Sequence, residues 1–179
     1  MSEQIHDPNR RQWYEFRRDG DAMIVTIRVA PGGDVPPHLH PSQEERWTVV
    51  EGDVRFKVGG RTIKHATPGE ELVVAPTVRH SFKNVGRTDA TLVAEVRPAL
   101  EIEGFLRDSA ALAREGAYDR RGLIKSPSAA VKVAALIERY EHVAVILWPP
   151  RFLQRYMLAP MLRRARARGK APNGAPIGG

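Results

Sequence analysis

The sequence predicts a mainly β domain, an antiparallel sandwich or barrel, followed by α-helices. Three observations carry this expectation. Turn signals recur roughly every 8–10 residues between Trp13 and Pro98, a spacing typical of short strands in sandwiches and barrels. The runs between those turns are rich in Val, Ile, Thr, Phe and Trp, and none is long enough for the helix of a parallel crossover. From Leu100 onward the apolar spacing changes to that of helices.

The elements follow in order. Residues 1–12 are a polar N-terminal segment, and residues 13–99 form the β domain. Strands are expected over Met23–Val29, Arg46–Val50, Val54–Val58, Arg61–Lys64, Glu71–Val74, His80–Asn84 and Thr91–Val96. The turns between them include Asp19-Gly20-Asp21, Pro31-Gly32-Gly33, Glu51-Gly52-Asp53, Gly59-Gly60 and Thr67-Pro68-Gly69. Trp13–Phe16 is expected to pair across a homodimer interface or to close the sheet, because exposed sheet edges invite pairing. Residues 100–168 form a helical extension of about three helices. Ile102, Phe105, Leu106, Ala110 and Leu112 mark the first. The second runs over Ser126–Tyr140, capped by Ser126 or Ser128. A third opens at Pro149-Pro150 with Phe152, Tyr156 and Met157 on its apolar stripe. Residues 169–179 read as a disordered tail.

Composition narrows the chemistry. The chain has 179 residues and no cysteine, which excludes a disulfide scaffold, thiolate zinc ligands and a thiol nucleophile. The net charge is +7, with 28 basic and 21 acidic residues. Six arginines and one lysine fall after residue 150 with no acid among them, so residues 1–150 balance at 28 − 7 = 21 basic against 21 acidic. The basicity therefore belongs to the tail. It makes nucleic acid an unexpected partner and leaves a weak contact with anionic surfaces as the tail's expected reach. The polar start lacks the apolar core of a secretory signal, and Val143–Trp148 is too short to span a membrane. A cytoplasmic location follows as an expectation.

Three of the six histidines fall in one pattern. Gly32, His38, His40, Glu45 and Gly52 occur in one stretch, and Gly69, His80 and Asn84 in a second. Two residues apart on a strand, His38 and His40 share a face and can converge on one point. Three neutral imidazoles and one carboxylate suit a divalent first-row metal: Fe, Mn, Ni, Cu, Co or Zn. Such a set can leave positions open for substrate. His6 is read as a terminal residue, His65 as exposed, and His142 as structural.

These segments resemble the two signature motifs of the cupin superfamily. The first, G-x5-H-x-H-x(3,4)-E-x6-G, is met in full. The second, G-x5-P-x-G-x2-H-x3-N, is met in spacing but has Ala75 in place of Pro and Thr77 in place of Gly, with Pro76 one place along. The resemblance implies a double-stranded β-helix, the jelly-roll barrel. It also implies one divalent transition metal per chain on His38, His40, Glu45 and His80, and a small-molecule substrate or ligand. The implied reactions are those of dioxygenases, decarboxylases, cyclases, isomerases and related lyases, with a dioxygenase-like oxidoreductase favoured and Glu45 as a candidate base. Strand alternation places Trp47, Phe82 and Asn84 on the same side as the ligands, as candidate pocket wall. Arg46 and Arg79 should point outward. The alternative is a non-catalytic metal- or ligand-binding barrel whose helices dock a partner.

Overall fold

The computed structural model describes residues 3–64, 68–119 and 122–147. One sheet contains β1 (Ile5–Asp7), β2 (Gln12–Asp19), β3 (Ala22–Val29), β5 (Glu44–Glu51), β8 (Glu71–Val74) and β10 (Ala90–Arg97), in the order β1-β2-β3-β10-β5-β8. The other contains β4 (Asp34–Leu39), β6 (Val54–Val58), β7 (Arg61–Lys64), β9 (His80–Asn84) and β11 (Val145–Ile146), in the order β11-β4-β9-β6-β7. All paired strands are antiparallel.

Period-two burial organises the long strands. Val25, Ile27 and Val29 on β3 face the core beside Leu92, Ala94 and Val96 on β10, all at most 4% exposed. Each large aliphatic side chain buried this way contributes roughly 1.5–3 kcal/mol. The expected jelly-roll barrel is two facing sheets and is not closed, since no ladder joins one to the other among the described residues. The double-sheet jelly roll needs no closure, because short outer strands such as β8 and β7 limit its edges.

The N-terminal segment is not merely polar. Ile5 and Asp7 are buried, and β1 pairs with β2 through Ile5↔Tyr14 and Asp7↔Gln12. Trp13–Phe16 pairs with β3 within the chain, so it extends the sheet with no second copy required. His6 stacks on Trp13 with ring centroids 4.6 Å apart, and the Arg28 guanidinium covers the same indole at 3.8 Å.

Two helices lie among the described residues, α1 (Ile102–Arg114) and α2 (Pro127–Arg139). The third expected helix, the tail and His65 fall outside them. Ser126 caps α2: its Oγ accepts from the Ala129 N–H at 3.1 Å, with Pro127 at the first helical position. Ser128 bonds to the Ser126 hydroxyl instead. Phe105 meets Tyr140 edge-on at 5.6 Å, and the Tyr140 hydroxyl donates to Asp108 at 2.9 Å, which ties the helices together. Beyond α2 the N–H groups of Val143 and Ala144 donate to the Tyr140 carbonyl, and the turned chain enters the second sheet as β11, opposite Leu39 and His38.

Candidate metal centre

His38 lies in β4, opposite His80 of β9. The ladder between these strands shifts register between Val35 and His38, where Pro36 and Pro37 have no N–H to donate. Beyond this bulge His38 and His40 turn inward together, and Glu45 reaches the same point from β5. Pairwise, the imidazole centroids are 5.0, 4.1 and 5.4 Å apart. All four side chains are buried, and one donor atom from each lies within 4.8 Å of all the others. No other His, Asp and Glu group converges in this way among the described residues.

The outer ring nitrogens fix how the imidazoles present themselves. Nδ1 of His38 donates to the Pro36 carbonyl at 2.9 Å, that of His40 to Val143 at 2.7 Å, and that of His80 to Val78 at 3.0 Å. A carbonyl can only accept, so each Nδ1 carries a proton and each Nε2 is left as the inward atom. Nε2 of His40 is 3.1 Å from Glu45 Oε1, and Nε2 of His80 is 2.8 Å from Oε2. These approaches are close but poorly aligned, and both nitrogens are buried without a hydrogen-bond partner. Such orphans are costly inside a protein unless something fills the space between them. Metal bonds of roughly 2.1 Å set ligand atoms roughly 3 Å apart when adjacent and roughly 4.2 Å when opposite, close to the spacing here. The group suits a divalent metal.

Burial pushes the His38 pKa down to about 3, with the neighbouring imidazoles adding to the effect, so this ring stays neutral. Burial also opposes charge on His40, but the Glu45 carboxylate outweighs it and raises that pKa. At Glu45 burial alone would favour the acid, yet His40 holds the carboxyl well below its usual range. The close carboxylate–imidazole contact thus acts through charge more than through an aligned hydrogen bond. A divalent cation would compete with the proton that Glu45 favours on His40.

The three expected pocket residues separate. Trp47 lines the cavity beside the ligand group, and its Nε1–H donates to Glu45 Oε2 at 3.0 Å. Phe82 stands behind it, packed on Trp47 at 5.2 Å and on Phe56 at 5.8 Å, and is absent from that cavity wall. Asn84 is fully buried and also away from the cavity. Its Nδ2 donates to the Val29 and Thr88 carbonyls at 2.8 and 2.9 Å, and its Oδ1 accepts from the Gly86 N–H at 2.9 Å. Alternation gave its face correctly, but its polar atoms are engaged by backbone, so it braces a loop. Arg46 and Arg79 are exposed as expected, and His142 is an exposed partner of Glu101 at 2.5 Å. Thr77, standing where the motif has Gly, adopts φ +67°, and its N–H donates to the His40 carbonyl at 2.8 Å.

Two contributors escaped the sequence reading. Gln43, 1% exposed, donates to the Pro98 and Ala99 carbonyls and pins the approach to β5. The carbonyl of Val143 orients His40 from the far side of the helical extension; a backbone oxygen leaves no mark in residue identity. The extension also roofs a cavity of about 120 Å³ that reaches His38, His40 and Glu45, with Phe105 of α1 and Leu136 of α2 in its wall.

Residues 25–95 match the family described as Cupin domain. Germin-like protein subfamily T member 3 of Arabidopsis thaliana is 35% identical over 84 residues, covering 45% of this chain and 37% of the relative. A protein of Streptomyces cyaneus named polyketide synthase CurC is 34% identical over 104 residues, covering 51% of this chain and 64% of its own. The chain thus spans little more than a third of the germin-like relative. An RmlC-like cupin from Shewanella frigidimarina superposes with a TM-score of 0.50 at 25% identity, over 56% of this chain and 87% of that one. Motif spacing, facing antiparallel sheets and the family match agree: residues 25–95 form a cupin domain.

Proposed function

We propose that the chain is a small metalloenzyme that holds one divalent transition metal on His38, His40, Glu45 and His80 and transforms a small organic molecule. The reaction class is an oxidoreductase of dioxygenase type, or a related lyase or isomerase. One observation carries the reading: the partnerless inward nitrogens of His40 and His80 meet Glu45 at the end of a cavity that also reaches His38. The helices roof this cavity without filling it, which favours turnover over a plugged binding barrel.

A bound metal would supply Lewis acidity and, for a redox-active ion, electron transfer. The chain's own residues do the rest. The three carbonyls hold the imidazole planes, which limits reorganisation when ligands bind. Trp47 occupies Glu45 Oε2, so Oε1 is the carboxylate oxygen left to take a substrate proton. The apolar walls keep bulk water from the reacting atoms.

The test is elemental analysis of the purified full chain beside His40→Ala and His142→Ala. The expected result is about one metal per chain in the parent and in His142→Ala, and none in His40→Ala, with circular dichroism unchanged in all three. Equal metal in the two variants overturns the assignment.

A further inference from the structure

The cavity has two unlike parts. At one end stand His38, His40 and Glu45. Around the body the wall is mostly hydrocarbon, from Val25 and Ile27 of β3 and from Phe105, Leu106, Leu136 and Ile137 of the helices, with Ser109 and Tyr118 as the neutral polar side chains that the extension adds. Polar residues at the β1–β2 edge are engaged with one another or with backbone. The Tyr14 hydroxyl donates to Gln12, Gln12 donates to the Asp34 carbonyl, and Asp7 Oδ1 accepts the Asn9 and Arg10 N–H groups. The one guanidinium or ammonium group on the wall among the described residues is Arg10, which lies 3.7 Å from the Asp34 carboxylate. A small dianion would therefore meet hydrocarbon on most sides, and the one cation near it already has a counter-ion. The volume, about 120 Å³, approaches the roughly 150 Å³ of an apolar protein cavity that takes up benzene.

We propose that the site takes an apolar, ring-sized organic molecule presenting one or two oxygen donors to the histidine–carboxylate group. Helices α1 and α2 set that selectivity through Phe105, Leu106, Leu136 and Ile137. The oxygen-donor end rests on the metal reading above; the apolar body does not. The division also gives the helical extension a role, because residues 25–95 supply the ligand group and one wall, whereas residues 102–147 supply the roof.

The test uses the full chain in two arms. In the first, toluene binding to the metal-free protein is followed by ligand-observed NMR. In the second, cobalt-loaded protein is titrated with tropolone and with oxalate, reading the visible cobalt spectrum. Expected are saturable toluene uptake and a preference for tropolone over oxalate of about tenfold or more, the scale on which apolar pockets discriminate. Ile137→Trp, which fills the cavity, and Leu106→Gln, which makes its half-buried wall polar, should each weaken toluene binding about tenfold and leave cobalt binding intact. The two substitutions act by different means, so if one variant does not fold the other still decides. Absence of toluene uptake, equal affinity for oxalate, or toluene binding unchanged in the folded variants overturns the proposal. Toluene uptake without cobalt binding overturns the metal reading and supports the apolar cavity; cobalt binding without toluene uptake does the reverse.

Discussion

Gly52 closes the first motif, and its surroundings say why a glycine stands there. It turns β5 into β6 at φ +93°, and a Cβ at this position would lie 2.5 Å from Ala90 Cβ and 2.6 Å from Ala90 Cα. Gly59, in the next turn, has φ +54° and nothing within 4 Å of the same added atom. Gly52→Ala therefore combines backbone strain of about 1–2 kcal/mol with overpacking of about 1–3 kcal/mol. The sum, about 2–5 kcal/mol, should lower Tm by about 4–20 °C at the roughly 2–4 °C per kcal/mol typical of chains this size. Gly59→Ala carries the strain alone, about 1 kcal/mol in the allowed left-handed region. Scanning calorimetry of both variants measures the difference. Metal stoichiometry of folded Gly52→Ala should match the parent, because Glu45 lies at the other end of β5. Equal Tm losses at the two glycines would refute the close approach to Ala90 as the reason for the motif residue.

The remaining predictions concern the site and its supports. Trp47→Phe removes the donor to Glu45 Oε2 and should weaken metal affinity about 10–100-fold, the usual cost of losing a group that orients a ligand; a chelator-competition titration that finds no change would discount the indole. Thr77→Gly relieves a β-branched residue at φ +67° and should raise stability by about 0.5–1 kcal/mol after the entropy cost of glycine, read as a higher urea midpoint. Asp7 has its pKa raised above the ordinary 3.8, chiefly by burial. The folded state holds that proton more tightly, so its contribution is full below pH 3.8 and is lost as pH rises through the folded value. Asp7→Asn keeps the acceptor for the Asn9 and Arg10 N–H groups and should gain stability relative to the parent at pH 7 compared with pH 4; parallel urea curves at the two pH values would contradict this.

The parts legible in the sequence are those with enough repeats to make a pattern. Strands β6 to β9 fall at their expected bounds, because several alternating residues between turn signals define a period. The convergence of His38, His40, Glu45 and His80 is legible because strand geometry fixes which side chains share a face. Strands β1 and β11, of three and two residues, contain too few alternations to register. Phe82 and Asn84 show the limit of alternation itself. It gives the face of a residue but not its depth, and both lie on the inner face without reaching the cavity. The sequence offers two serines as the cap of α2, and only three-dimensional geometry selects Ser126, whose hydroxyl lies within reach of the Ala129 N–H.

The helical extension is bound to the chemistry by more than its roof. Tyr140 ends α2, and its carbonyl takes the N–H groups of Val143 and Ala144. That turn aims the Val143 carbonyl at His40 Nδ1 and delivers Ile146 to its place opposite His38. Two of the three imidazoles are therefore supported by residues 143–146, outside the segment that matches the family. The Val143–His40 bond joins residues 103 positions apart in the chain, and Val143 is itself fully buried. Rotating His40 would cost this bond, about 0.5–1.5 kcal/mol net, and would leave a buried carbonyl unpaired at a further cost of about 1–3 kcal/mol. The seating of α2 and the orientation of His40 are thus one structural event. A change that unseats α2 from Asp108 and Phe105 acts on the ligand group through the Val143 carbonyl, and substitution at the four ligand positions alone would not expose that dependence.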